Sequence, residues 1–222
     1  MNTKHTTDIA LFPIPDCVVF PGMVFPLHVF EPRYRDMVKF CLQEDMPIGI
    51  CHTQKILHSK TPQGDNKDKL NSNQDTYKPY PIFGAGPCEL VKTISDGRML
   101  INVKIEGRYK IEEEVQTLPF SIVRCSAYDD DTMTQAETEQ AQLLQEKILN
   151  RLMALSGGDP SICERLRSDE WQNKPVQEFS FELFSIIRMD GDVQQKILES
   201  RSIPERLQAS LDILNSAPMN PQ

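Results

Sequence analysis

The chain has 222 residues, 39% of them hydrophobic and 25% charged, with a mean hydropathy of −0.41. That length suits one large domain or a mid-sized domain with a smaller companion, and the apolar content suffices for a core. No apolar run approaches the roughly 18 residues of a membrane span, and residues 1–8 are polar, without the apolar centre of an export signal. A cytoplasmic address without membrane contact is the expectation.

The net charge of −8 is unevenly spread. Residues 1–128 hold fifteen basic and fifteen acidic side chains, and the remainder holds nine and seventeen. Neither half has a basic excess. This opposes a nucleic-acid partner, because phosphate binding draws on clustered Lys and Arg. The six cysteines, at 17, 41, 51, 88, 125 and 163, form no Cys-x-x-Cys pair, and several lie in apolar patterns. They read as buried free thiols rather than a disulfide framework.

Residues 9–128 follow strand periodicity, interrupted by one helix. Tyr34, Met37, Val38, Cys41 and Leu42 fall at helical spacing, with Pro32 suited to the first turn and Glu31 to the positive end of the helix dipole. Residues 53–80 lose apolar patterning after Leu57. They read as a polar surface insertion, with an interdomain linker as the lesser alternative. Met99, Ile101, Val103 and Ile105 then alternate with more polar neighbours, and Asp96-Gly97 just before them signals a hairpin turn. Further strand-like runs at 108–115 and 120–128 complete a meander, which favours a small barrel or curled sheet.

From residue 129 the period changes. Asp129-Asp130-Asp131 reads as a solvated acidic linker that also favours a helix start. Leu144, Ile148, Leu152 and Leu155 mark the first helix, closed by Gly157-Gly158. Asp159 and Pro160 open a second, to about Trp171. A third begins near Pro175 and carries Val176, Phe179, Leu183, Ile186 and Ile187. Asp192 is the expected cap for 193–200, and Pro204 opens a last helix with Leu207, Leu211 and Leu214. Residues 217–222 read as a frayed tail. The expected fold class is thus α+β, with a β domain over 9–128 and a helical bundle over 129–216.

Three segments carry a family resemblance: Leu11-Phe12-Pro13-Ile14-Pro15, Val19-Phe20-Pro21-Gly22-Met23, and Pro26-Leu27-His28-Val29-Phe30-Glu31-Pro32-Arg33-Tyr34. With Phe83-Gly84, Glu106-Gly107-Arg108-Tyr109, residues 195–199 and Pro204-Glu205-Arg206-Leu207, they resemble the N-terminal substrate-binding domain of Lon proteases over roughly 9–215. The resemblance implies a PUA-like β-barrel followed by a helical bundle. It also implies binding of unfolded or extended polypeptide, or of a protein partner. In that family an ATPase and a Ser-Lys protease module follow. No Gly-x-x-x-x-Gly-Lys-Ser/Thr occurs here, and the chain ends where those modules would begin, so a non-catalytic module without cofactor is expected. PUA-like folds also occur in RNA-binding proteins, which leaves an RNA-binding module as the alternative by fold analogy.

The candidate polypeptide-binding residues are Phe20, Pro21, Met23, Phe25, His28, Glu31, Arg33 and Tyr34. Residues 20–26 are apolar and framed by prolines, so any surface they expose would bind an extended chain at a lower entropy cost; core packing is the competing reading. Residues 28–34 could line a recognition groove, or could simply specify a strand-to-helix corner. Cys51, His52 and His58 lack the spacing of a metal site, and no residue set suggests catalysis. Binding is expected to be weak, apolar and little affected by salt.

Overall fold

The computed structural model describes residues 6–54, 78–187 and 189–216. Ten strands fill its first part: β1 (Thr6–Pro13), β2 (Val24–Val29), β3 (Ile48–Cys51), β4 (Thr53–Gln54), β5 (Lys78–Pro79), β6 (Ile82–Gly86), β7 (Cys88–Thr93), β8 (Met99–Lys104), β9 (Gly107–Gln116) and β10 (Ile122–Ala127). Helix α1 (Pro32–Glu44) lies between β2 and β3. The fold class is α+β, with a closed barrel followed by helices.

The barrel runs β1-β10-β9-β6-β3 and closes by parallel pairing of β3 with β1, as in Ala10↔Ile48 and Phe12↔Ile50. The expected sequential meander is therefore corrected in part. The first strand pairs with the last, and β7 and β8 leave the barrel for a second sheet of order β2-β8-β7. Alternation reveals which residues share a face, but it does not name the partner strand. The hairpin at Asp96-Gly97 is present. Gly97 adopts φ +84° and its amide donates to the Ile94 carbonyl at 2.9 Å. Inside the barrel Ile9, Leu11, Cys51, Phe83, Ala85, Val123 and Cys125 pack together. Gly49 is dictated by that packing, since a Cβ there would sit 2.2 Å from the Phe83 ring. A second cluster joins the barrel to α1 and the three-stranded sheet. Tyr34, Met37, Val38 and Cys41 of the predicted helix stripe meet Met99, Ile101, Val103 and Ile105 of the predicted strand.

Most of the 53–80 insertion, residues 55–77, lies outside the described residues, as does 217–222. The ends of the insertion are described: Thr53 pairs with Pro79 and Gln54 with Lys78.

Helices follow: α2 (Gln135–Leu155), α3 (Pro160–Arg167), α4 (Asp169–Gln172), α5 (Val176–Glu182) continued by one 3-10 turn, α6 (Gly191–Glu199) and α7 (Ile203–Ser216). Three local expectations are corrected. The helix expected over 160–171 breaks at Ser168, whose hydroxyl caps α4 by accepting from the Trp171 amide. The helix from Pro175 gives up α-geometry at Leu183, so Ile186 and Ile187 lie beyond it. Asp190, not Asp192, caps α6, which frees the Asp192 carboxylate to meet the barrel. Gly191 rather than Val193 begins that helix, and a glycine carries no apolar signal to mark the start.

The acidic run 129–131 is the largest correction. Helix α2 is capped by Thr134, with Glu137 completing a reciprocal capping box. Asp130 is instead buried beneath two guanidiniums. Arg108 of β9 donates to Asp130 Oδ1 at 2.5 Å and to the carbonyls of Leu198 and Ser200 at 2.6 and 2.7 Å. Arg206 of α7 donates to both Asp130 oxygens at 2.8 and 2.9 Å, and to the Ser180 hydroxyl and Ser200 carbonyl. The Phe181 ring lies 3.9 Å from the Arg206 guanidinium carbon and 5.0 Å from that of Arg108. A local sequence window cannot see these partners, which come from 22 and 76 residues away.

Replacing Asp130 with Ala would leave two buried guanidiniums without their shared counter-ion. The expected loss is about 3–5 kcal/mol of unfolding free energy, measured by chemical denaturation. The neighbouring Asp131→Ala, which breaks an exposed pair with Arg201, should cost about 1 kcal/mol or less.

Candidate functional site

Strand β2 is the outer strand of its sheet, and its residues alternate between two environments. Phe25, Leu27 and Val29 face inward against the α1 cluster. Val24, Pro26 and His28 face outward, beside Lys104, Asn102 and Leu100 of β8. Phe30 follows just past the strand. Val24 is 59% exposed and Phe30 62% exposed, far above the usual fate of such side chains. The His28 and Phe30 rings meet edge-on at 6.3 Å. Pro26 has no N–H to give a ladder, which suits an outer strand and stiffens the backbone here.

The eight predicted residues divide. Phe20 is wholly buried, stacked on Phe184 at 4.4 Å and 6.1 Å from Phe181, and so belongs to the helical core. Met23 and Phe25 are half-buried, and Met23 Sδ lies 3.5 Å from the Phe20 amide. Tyr34 is buried, stacked on Phe12 at 4.2 Å. Glu31 and Arg33 pair with each other at 3.0 Å near the surface, and the Arg33 guanidinium lies 4.5 Å over the Tyr34 ring. Phe20 follows the competing core-packing reading and Tyr34 the strand-to-helix corner reading, because each completes an aromatic stack inside, so neither lines an exposed binding surface. Among the predicted residues, His28 shares the outer β2 face, with Glu31 and Arg33 at the corner into α1. Sequence reasoning passed over Phe30 and gave Val24 and Pro26 no role apart from their neighbours. Strict alternation applied across 24–30 would have separated them.

Pro21 sits elsewhere. It lines a cleft of about 430 Å³ between the barrel and the helices, together with Glu106, Tyr128, Glu178 and Phe181, and Arg108 and Asp130 close its inner side.

Burial disfavours ionisation of Cys17, Cys41, Cys51, Cys88 and Cys125. Burial pushes Cys17 up to about 11, and Cys41, Cys51 and Cys125 up to about 12. His52 Nδ1 lies 3.0 Å from the Asp16 amide and accepts from it. Nε2 therefore carries the proton and donates to Asp192 at 3.2 Å. Tyr80 stacks on the His52 ring and donates to the same carboxylate at 3.0 Å. His52 thus holds α6 against the barrel and has no free nitrogen to activate Cys51. Among the described residues no group of three or more His, Cys, Asp or Glu is placed to hold a metal, and no helix is long and apolar enough to cross a membrane. His58 lies outside those residues.

A closed five-stranded barrel followed by helices is the fold this chain shares with solved Lon N-terminal domains. The N-terminal domain of a Mycobacterium avium complex Lon protease covers 96% of this chain and is itself covered completely, with a TM-score of 0.65 at 14% identity. A Lon N-terminal domain protein from Xanthomonas campestris covers 96% with a TM-score of 0.55 at 17% identity. Residues 8–216 match the ATP-dependent protease La (LON) substrate-binding domain, and the chain belongs to that family. Among curated relatives, Lon protease 2 of Myxococcus xanthus is 23% identical over 216 residues, and Lon protease of Cytophaga hutchinsonii is 27% identical over 137 residues. The aligned regions span 23% and 15% of those relatives' lengths.

Two outcomes follow from this geometry. Phe20→Ala should lose about 3–5 kcal/mol of stability, whereas Phe30→Ser should stay within about 0.5 kcal/mol, by thermal or chemical denaturation. Cys17, Cys41, Cys51 and Cys125 ionise more readily in the unfolded chain, where their value returns to about 9. Because their folded values are raised, their contribution is intact below about pH 9 and is lost as pH rises toward 11 and 12. Unfolding midpoints measured between neutral and strongly alkaline pH should fall over that window. Replacing Cys51 with Ala should reduce the slope.

Proposed function

We propose that this chain is a non-catalytic module that binds unfolded or extended polypeptide, or an extended segment of a protein partner, on the outer face of β2. The observation that carries the reading is the exposed row of apolar Val24 and Pro26 with the His28 ring on the outer strand of a sheet, continued by apolar Phe30 just past it. Apolar side chains held outward by a packed inner face mark an interaction surface rather than a folding need. Pro26 within the strand and Pro32 at the start of α1 hold the row in one conformation, so a bound chain pays less to order it. The Glu31–Arg33 pair closes one end and gives a polar limit to the apolar strip. Membership of a substrate-binding domain family favours a polypeptide as the occupant. The burial-raised thiols and the fully engaged His52 favour binding without covalent chemistry. The even charge balance of residues 1–128 weighs against RNA.

Contacts of this kind are weak and tolerant of sequence, because one surface cannot be tuned to many partners. Titrating an uncharged, unfolded apolar peptide into the labelled protein should shift amide signals of residues 24–30. The affinity should change little between low and moderate salt. Val24→Ser with Phe30→Ser should weaken it roughly tenfold, in keeping with about 1.4 kcal/mol per tenfold change. Unchanged signals across 24–30 at saturating peptide would refute the assignment.

A further inference from the structure

We propose that the cleft between the barrel and the helices is a docking groove for an extended polypeptide segment that carries basic side chains. The proposal rests on the polypeptide-binding reading and adds to it a second contact surface and a class of segment. The cleft encloses about 430 Å³, enough for a few side chains and too small for a folded partner. Pro21, Tyr128 and Phe181 give it apolar walls. Arg108 at its inner side shares the Asp130 carboxylate with the fully buried Arg206, so that cluster keeps one positive charge, and any attraction for a cation comes from the rim. Glu106 on the barrel side, Glu178 and Glu182 on α5, and Asp129 in the connection surround the opening. Two of these four carboxylates have lysine partners: Glu106 with Lys104 at 3.4 Å and Glu182 with Lys174 at 2.6 Å. Asp129 and Glu178 have no basic side chain within ion-pairing distance among the described residues. The opening therefore carries an excess of negative charge over apolar walls. An extended segment with apolar and basic side chains in alternation matches both, with its apolar groups on Pro21, Tyr128 and Phe181 and its cations at the rim.

The two surfaces make different demands on one substrate. The β2 face reads apolar content, and the cleft reads charge. A segment rich in acidic side chains would be admitted by the first and repelled by the second, which is a means of discrimination.

The experiment uses the full chain and labelled extended peptides of equal length, followed by fluorescence anisotropy. Their apolar positions are identical and their alternating positions are Lys, Gln or Glu. The Lys peptide should bind roughly tenfold tighter than the Glu peptide, and the difference should shrink as salt rises. Charge reversal on either wall, Glu178→Lys or Glu106→Lys, should weaken the Lys peptide roughly threefold to tenfold and leave the Gln peptide unchanged. The two residues belong to separate elements, so a folding defect in one variant, visible by circular dichroism, leaves the other as the test. Equal binding of the Lys and Glu peptides, or indifference of the Lys peptide to both reversals, would overturn the groove and leave the β2 assignment standing. Failure of all three peptides to bind would overturn both. Self-association of the chain that disappears in Glu178→Lys would assign the groove to a second copy and overturn the proposal.

Discussion

One carboxylate serves two buried guanidiniums. Asp130, in the connection between β10 and α2, meets Arg108 from the barrel and Arg206 from α7, and the three charges are almost wholly removed from water. Burying ions is costly, and the cost is offset where every donor is used. Here the carbonyls of Leu198 and Ser200, the Ser180 hydroxyl and the face of Phe181 take up donors the carboxylate cannot reach. Burial pulls the Arg108 guanidinium below its ordinary value and Asp130 opposes that, but a guanidinium stays charged throughout. A cluster of this kind is directional, unlike apolar packing. It sets how the end of α6 and the start of α7 meet the barrel, and therefore the width of the cleft on whose inner side it lies.

A smaller polar contact does similar work at another point of the same boundary. His52 joins the Asp16 amide to the first turn of α6 through Asp192, and Tyr80 covers its ring. Between these contacts Phe20 crosses from the barrel side into the helical core. The segment after β1 is thus pinned on both sides, and β2 starts from a fixed point. The outward row on β2 depends on that chain of constraints: Phe20 is held inside, Met23 and Phe25 are half-held, and the alternation then delivers Val24, Pro26 and His28 to the exterior.

Features with a local cause were legible in the sequence. The α1 stripe, the Met99–Ile105 alternation and the Asp96-Gly97 turn each depend on neighbours within a few residues, and each lies where periodicity placed it. The family was legible as well, from the proline- and aromatic-rich segments 11–15, 19–23 and 26–34 within the matched residues 8–216. Features with a distant cause were not. The acidic run 129–131 has the composition of a solvated linker, and only Arg108 and Arg206 turn it into a core group. Asp192 looked like a cap because the cap competitor, Asp190, differs from it by two positions and by nothing in residue type. For the candidate site, the stretch 20–34 was the right neighbourhood. Dividing it into buried and exposed members required knowing that Phe12, Phe181 and Phe184 lie on the other side of Phe20 and Tyr34.

The short pairing of β4 with β5 brings the two ends of the long polar stretch to adjacent positions, Gln54 beside Lys78 and Thr53 beside Pro79. A chain that departs and returns at one point imposes its closure cost on itself, and that cost grows only by about 0.6 kcal/mol for each doubling of length. The barrel strand on one side, β3, and the strand on the other, β6, are joined directly to each other through Ile48↔Gly86 and Ile50↔Gly84. Length variation between them is therefore uncoupled from barrel geometry. The locus is a natural port: lineages could lengthen or shorten it without refolding the rest, and a laboratory could splice a reporter or a second binding domain there.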